Sequence, residues 1–79
     1  MTKTLKAKII MAIWDFINEH PDEIIHDVRF HHYGNDYRIE TQFDPERVVI
    51  FRHNPHDIRD DLIASATVYY NGGVAIAEV

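Results

Sequence analysis

The feature that most constrains this chain is a change of hydrophobic period at Pro21. From Thr4 to about Glu19 the apolar residues Leu5, Ile9, Ala12, Ile13, Phe16 and Ile17 recur at three- and four-residue steps. That spacing places them on one face of a helix. Thr2 or Thr4 can cap its start, and Pro21 stops it near His20. From Ile24 onward the apolar period becomes two, the period of strands.

With 79 residues there is room for one domain, and a chain of that size buries only roughly 60% of its unfolded surface. A composition of 46% hydrophobic and 27% charged residues is that of a globular chain rather than a disordered one. The sequence contains no repeat, low-complexity tract or Gly/Ser linker, so residues 1–79 read as a single α+β domain.

The stretch VRFHHYGNDYRIET, Val28 to Thr41, reads as a hairpin. With Gly34-Asn35 as a two-residue turn, Phe30 is expected opposite Ile39, Val28 opposite Thr41 and His32 opposite Tyr37 on one face. On the other, Arg29 meets Glu40 and His31 meets Arg38. His31 and His32 then point to opposite sides of the sheet and cannot hold one ion together. His31 is expected in solvent, and His32 as a hydrogen-bonded residue at the core boundary.

FDPER, Phe43 to Arg47, has the proline and aspartate of a type I turn. Arg47 to Phe51 then forms a third strand, apolar on both faces through Val48, Val49, Ile50 and Phe51. One helix can cover only one of those faces. NPHD, Asn54 to Asp57, has the cap, proline and acid of a helix start, and Ile58, Leu62 and Ala66 supply a four-residue stripe. The last residues form a hairpin around Asn71-Gly72, or a single strand after a longer second helix. The expected fold is therefore α-β-β-β-α followed by a C-terminal β-hairpin or strand. Its antiparallel sheet packs against helices on one face, with Val28, Phe30, Ile39 and Phe43 among the buried residues.

Chemistry is sparse. The absence of cysteine excludes disulfides, thiolate metal sites and cysteine nucleophiles. Six histidines invite a metal reading, but His53 and His56 straddle a proline, and no HExxH spacing occurs. No metal site or cofactor is expected. The one serine, Ser65, lies outside any GxSxG turn, and there is no phosphate-binding glycine loop. The chain does not read as an enzyme.

A net charge of −5 disfavours loose binding to nucleic acid or anionic lipid. All three lysines, Lys3, Lys6 and Lys8, lie at the start of the chain, too short a block for a nucleic-acid arm. The order α-β-β-β-α also occurs in double-stranded RNA-binding domains, but their lysine-rich final helix start is replaced by the acidic NPHDIRDD. Ile9 to Ile17 is too short to span a bilayer, and a cytoplasmic location is expected.

What remains is a small acidic interaction protein. It is expected to act as an inhibitor or modulator, of the kind phages and mobile elements also encode, by binding a protein partner or by self-association as a dimer. Met11 and Trp14 lie outside the helix's core stripe. Arg29, His31, Tyr33 and Arg38 line the exposed sheet face, with Val49 and Phe51 on the third strand. That mixture of arginine, aromatic and apolar side chains suits a protein contact. The alternative is a nucleic-acid-binding module that stacks bases on the same face. Protonating all six histidines would carry the formal charge from −5 to +1, so partner binding that depends on the chain's acidity is expected to weaken between about pH 7.5 and 5.5.

Overall fold

The computed structural model describes residues 1–79 as one helix and a five-stranded sheet. Helix α1 spans Lys3–Glu19. The strands are β1 (Val28–His32), β2 (Asn35–Gln42), β3 (Arg47–Arg52), β4 (Asp61–Val68) and β5 (Val74–Glu78). They form an antiparallel meander in which spatial order equals chain order, β1-β2-β3-β4-β5.

The Thr2 hydroxyl caps α1 by accepting a hydrogen bond from the Leu5 amide at 3.1 Å, and the helix ends at His20 immediately before Pro21. Its stripe lies across one face of the sheet, where Leu5, Ile9 and Ile13 pack with Ile25, Tyr37, Ile39, Ile50, Ala64 and Ala66. The helix runs across the sheet from β5 toward β1. At its start the Met1 ammonium meets Glu78 on β5, and at its end Phe16 lies 5.5 Å from the His26 ring, just before β1.

The second helix does not exist. Residues 53–60 form turns, and the residues assigned to the helix are β4. The local cap signal is real but closes only one turn: the Asn54 side chain accepts from the His56 amide at 3.0 Å, and Asp57 then accepts from the Arg59 amide at 3.2 Å. Nothing buries the continuation, since Ile58 is fully exposed. A step of four residues also fits a strand, being twice its period. Leu-Ile-Ala-Ser-Ala-Thr-Val instead supplies a fourth strand to the far side of β3, whose second edge would otherwise be unpaired. The fold is thus a mostly β domain with a single helix, not α-β-β-β-α with helices packed on the sheet.

The first hairpin keeps the expected faces but not the expected partners. Tyr33 and Gly34 occupy the two-residue turn at φ of 45° and 80°, the positive pair of a type I′ turn, with glycine second. Moving the turn by one residue shifts each partner by two. Val28 therefore faces Ile39, Phe30 faces Tyr37 and His31 faces Asp36. Because the shift is even, Phe30 and Ile39 remain on the helix-covered face. The β2–β3 connection, residues 43–46, holds Asp44 at a φ of 65° and joins it to Pro45 by a cis peptide bond. Phe43 is 61% exposed there rather than buried. The β4–β5 connection places Asn71-Gly72 in a turn closed by the Tyr69 amide donating to the Gly73 carbonyl at 2.8 Å.

Candidate functional site: the uncovered sheet face

Only one face of the sheet carries a helix. The alternation of β2 and β3 sends Tyr37, Ile39, Val48 and Ile50 toward α1, and Arg38, Glu40, Val49 and Phe51 the other way. A register irregularity between Ile50 and Phe51 brings Leu62 opposite Phe51 while Ala64 stays opposite Ile50. This bulge turns Leu62 onto the uncovered face beside Phe51.

Arg38 organises that face. Its guanidinium carbon lies 4.6 Å from the centre of the Phe51 ring, a cation–π arrangement. One terminal nitrogen reaches Asp60 at 2.8 Å and the other Glu40 at 3.5 Å. Asp60 also meets His53 Nδ1 at 3.1 Å, so the loop that failed to become a helix is tied to β2 through one carboxylate. Arg38 Nε is buried and has no partner. Arg38, Asp60 and His53, with Arg29, Phe30, Asp36 and Tyr37, line an open polar hollow of about 500 Å³ at one end of the sheet.

The pairing of β1 with β2 sets Arg29 directly opposite Arg38, an unfavourable like-charge position. The two are drawn apart by separate acids. Arg29 Nε donates to Asp27 at 2.7 Å, and this contact holds the Asp27 carboxyl below the usual range and raises Arg29. The Arg29–Glu40 and His31–Arg38 contacts expected from the sequence therefore do not form. His31 Nδ1 instead lies 2.8 Å from Asp36. His32 points to the other face, as the alternation requires, but its Nε2 is buried without a hydrogen bond, contrary to its expected role as a bonded boundary residue. Its ring packs edge-on against Tyr33 at 4.5 Å.

The candidate contact residues divide between two surfaces. Arg29, His31, Arg38 and half-buried Phe51 share the uncovered face, whereas 83%-exposed Tyr33 lies in the β1–β2 turn with its ring against His32 of the other face. Met11, 60% exposed, and half-buried Trp14 lie on α1, on the opposite side of the sheet. Val49 points to the uncovered face but is fully buried between its cross-strand neighbours Glu40 and Ser65. It supports the face and cannot itself touch a partner. Sequence reasoning missed Asp60 and Leu62, which lay within the supposed helix, and His53, which lies just before it. The signal that could have found them was the β-branched and small-residue composition of Leu62 to Val68.

His20 and His26 flank Glu23 at 3.5 and 3.4 Å at the end of α1, an exposed cluster apart from this face. No group of three or more histidine and acidic side chains has the arrangement of a metal site. No helix is long and apolar enough to cross a membrane. Comparison with protein families, curated proteins and solved structures finds no match to this chain.

Proposed function

We propose that this chain is an interaction protein of the inhibitor or modulator type, and that it binds a protein partner through the uncovered sheet face. The observation that carries the reading is Phe51, half-buried on the central strand of a face with no covering layer, under the guanidinium of Arg38 and beside Leu62. An aromatic and an arginine at the centre of a patch, ringed by polar groups, is the composition of an interface anchor. Tyr33, at the turn beyond the end of this face, is a bulky residue at positive φ and therefore strained, and it is exposed to a partner that reaches past the sheet end.

The alternative occupant, nucleic acid, is disfavoured by charge. Arg29 and Arg38 on this face are each already paired with a carboxylate, and a phosphate would have to displace Asp27 or Asp60. Phosphate binding draws its strength from free cations.

Site-specific photo-crosslinking in lysate of the source cell tests the proposal. A probe at His31 is expected to trap one defined protein, and a probe at Ile58 in the exposed loop to trap none. Phe51→Asp and Arg38→Glu should abolish the product while circular dichroism remains that of the folded chain. Crosslinks that survive both substitutions, or that form only to oligonucleotide, would refute the assignment.

A further inference from the structure

The sheet has two edges, and they are not alike. Edge strands expose unpaired backbone groups and are ordinarily protected by charged side chains, proline, bulges or a covering element. β1 is protected: Arg29, His31 and His32 punctuate it, and Asp27 turns the chain at positive φ just before it. β5 is Val74-Ala75-Ile76-Ala77-Glu78, with no lysine, arginine, proline or bulge. Its single charge, Glu78, is engaged by the Met1 ammonium.

Two hydrogen bonds fix which groups of β5 are free. The Val79 amide donates to the Ile63 carbonyl at 3.0 Å, and the Gly73 carbonyl accepts from the Tyr69 amide at 2.8 Å. Odd-numbered residues therefore turn their backbone groups toward β4. In an antiparallel ladder the intervening residues turn theirs away. The N–H and C=O groups of Val74, Ile76 and Glu78 thus point out from the edge, and no other segment pairs with that edge.

We propose that this edge pairs with the β5 edge of a second copy of the chain, antiparallel about a twofold axis at Ile76. The sequence is self-complementary in that register. Ile76 meets Ile76 of the other copy, Val74 meets Glu78, and each pair exchanges backbone bonds in both directions. Ala75 meets Ala77 in the close, non-bonded position, where two small side chains let the backbones approach without hindrance. Glu78 never opposes Glu78. On the helix side the half-buried Val74 and Ile76 gain cover from their counterparts. Two five-stranded sheets become one of ten strands, with both uncovered faces on the same side of it. A strand from another protein would have to reproduce this alternation of large and small residues, whereas a second copy supplies it by symmetry.

The test uses Ala75 and Ala77, both exposed, so that substitution spares the monomer. Sedimentation velocity on the unmodified chain is expected to show a reversible monomer–dimer equilibrium. The double variant Ala75→Lys/Ala77→Lys places like charges opposite each other and should weaken the dimer at least about tenfold. The variant Ala75→Glu/Ala77→Lys places opposite charges there and should retain it. A chain that stays monomeric at about 1 mM overturns the proposal. So does a dimer indifferent to the double lysine variant, and one lost instead through Arg38→Glu would assign self-association to the uncovered face.

Discussion

Replacing Asp60 with alanine should cost more than the loss of an ordinary surface carboxylate. Asp60 and Arg38 are 21% and 30% exposed, so their contact lies between the exposed and buried regimes. Exposed pairs contribute about 0.2–1 kcal/mol, and breaking a fully buried pair costs about 3–5 kcal/mol, which places this one near 1–2 kcal/mol. The His53 contact at 3.1 Å adds about 0.5 kcal/mol as a net hydrogen bond. The expected total is about 2 kcal/mol, or a fall in Tm of about 8–16 °C for a domain of this size. Urea and thermal unfolding at pH 7.5 measure it. Because Arg38→Ala also removes the stack on Phe51, a double-mutant cycle is needed to isolate the pair, and it should return a coupling of about 1 kcal/mol. A loss below about 0.5 kcal/mol for Asp60→Ala, or a coupling near zero, would show that the 53–60 loop is not held by this carboxylate.

Tyr33→Asn should stabilise the chain by about 0.5–1 kcal/mol in urea unfolding, because asparagine tolerates the left-handed conformation that tyrosine is forced into, and it should weaken partner capture at the same time. Ile50→Ala, at a position with no exposure, should cost about 2–5 kcal/mol, a large share of the stability of 79 residues, and leave calorimetry with a greatly reduced or absent transition. The Met1 ammonium holds the Glu78 carboxyl below its ordinary value of 4.5. A depressed acid stabilises the fold above its unfolded pKa, and that contribution disappears as pH falls through the folded value. Stability should therefore decline below about pH 4.5, and Glu78→Gln should flatten that part of the acid unfolding profile.

The helix was legible because its stripe repeats over four turns and both ends carry punctuation, a side-chain cap and a proline. β3 was legible as a strand apolar on both faces, and the alternation that separates His31 from His32 follows from the strand period alone. The turn between β1 and β2 was harder. Gly34 can serve as first or second turn residue, and the choice between Tyr33-Gly34 and Gly34-Asn35 depends on which strand pairs bury best. The second helix failed for a different reason. Asn54, Pro55 and Asp57 encode a local turn, and whether it propagates depends on what lies beside it. The unpaired edge of β3 outweighed the weak helical preference of Ile58 to Ala66. Asp60, the acid that steadies Arg38, became visible only once that stretch was a strand and a loop.

The chain-order sheet has a consequence for how the molecule forms. Every strand pairs only with its neighbours in sequence, so each hairpin can close locally, on the microsecond scale of isolated hairpins, without waiting for a distant segment. The one long closure is the docking of α1, which must reach across the sheet from Glu78 at one side to His26 at the other. Such local strand pairing favours rapid formation of the sheet. It also fixes where the barrier lies: substitutions at Ile9 and Ile13 should slow folding, whereas changes within the Tyr69–Gly73 turn should mainly alter the rate of unfolding.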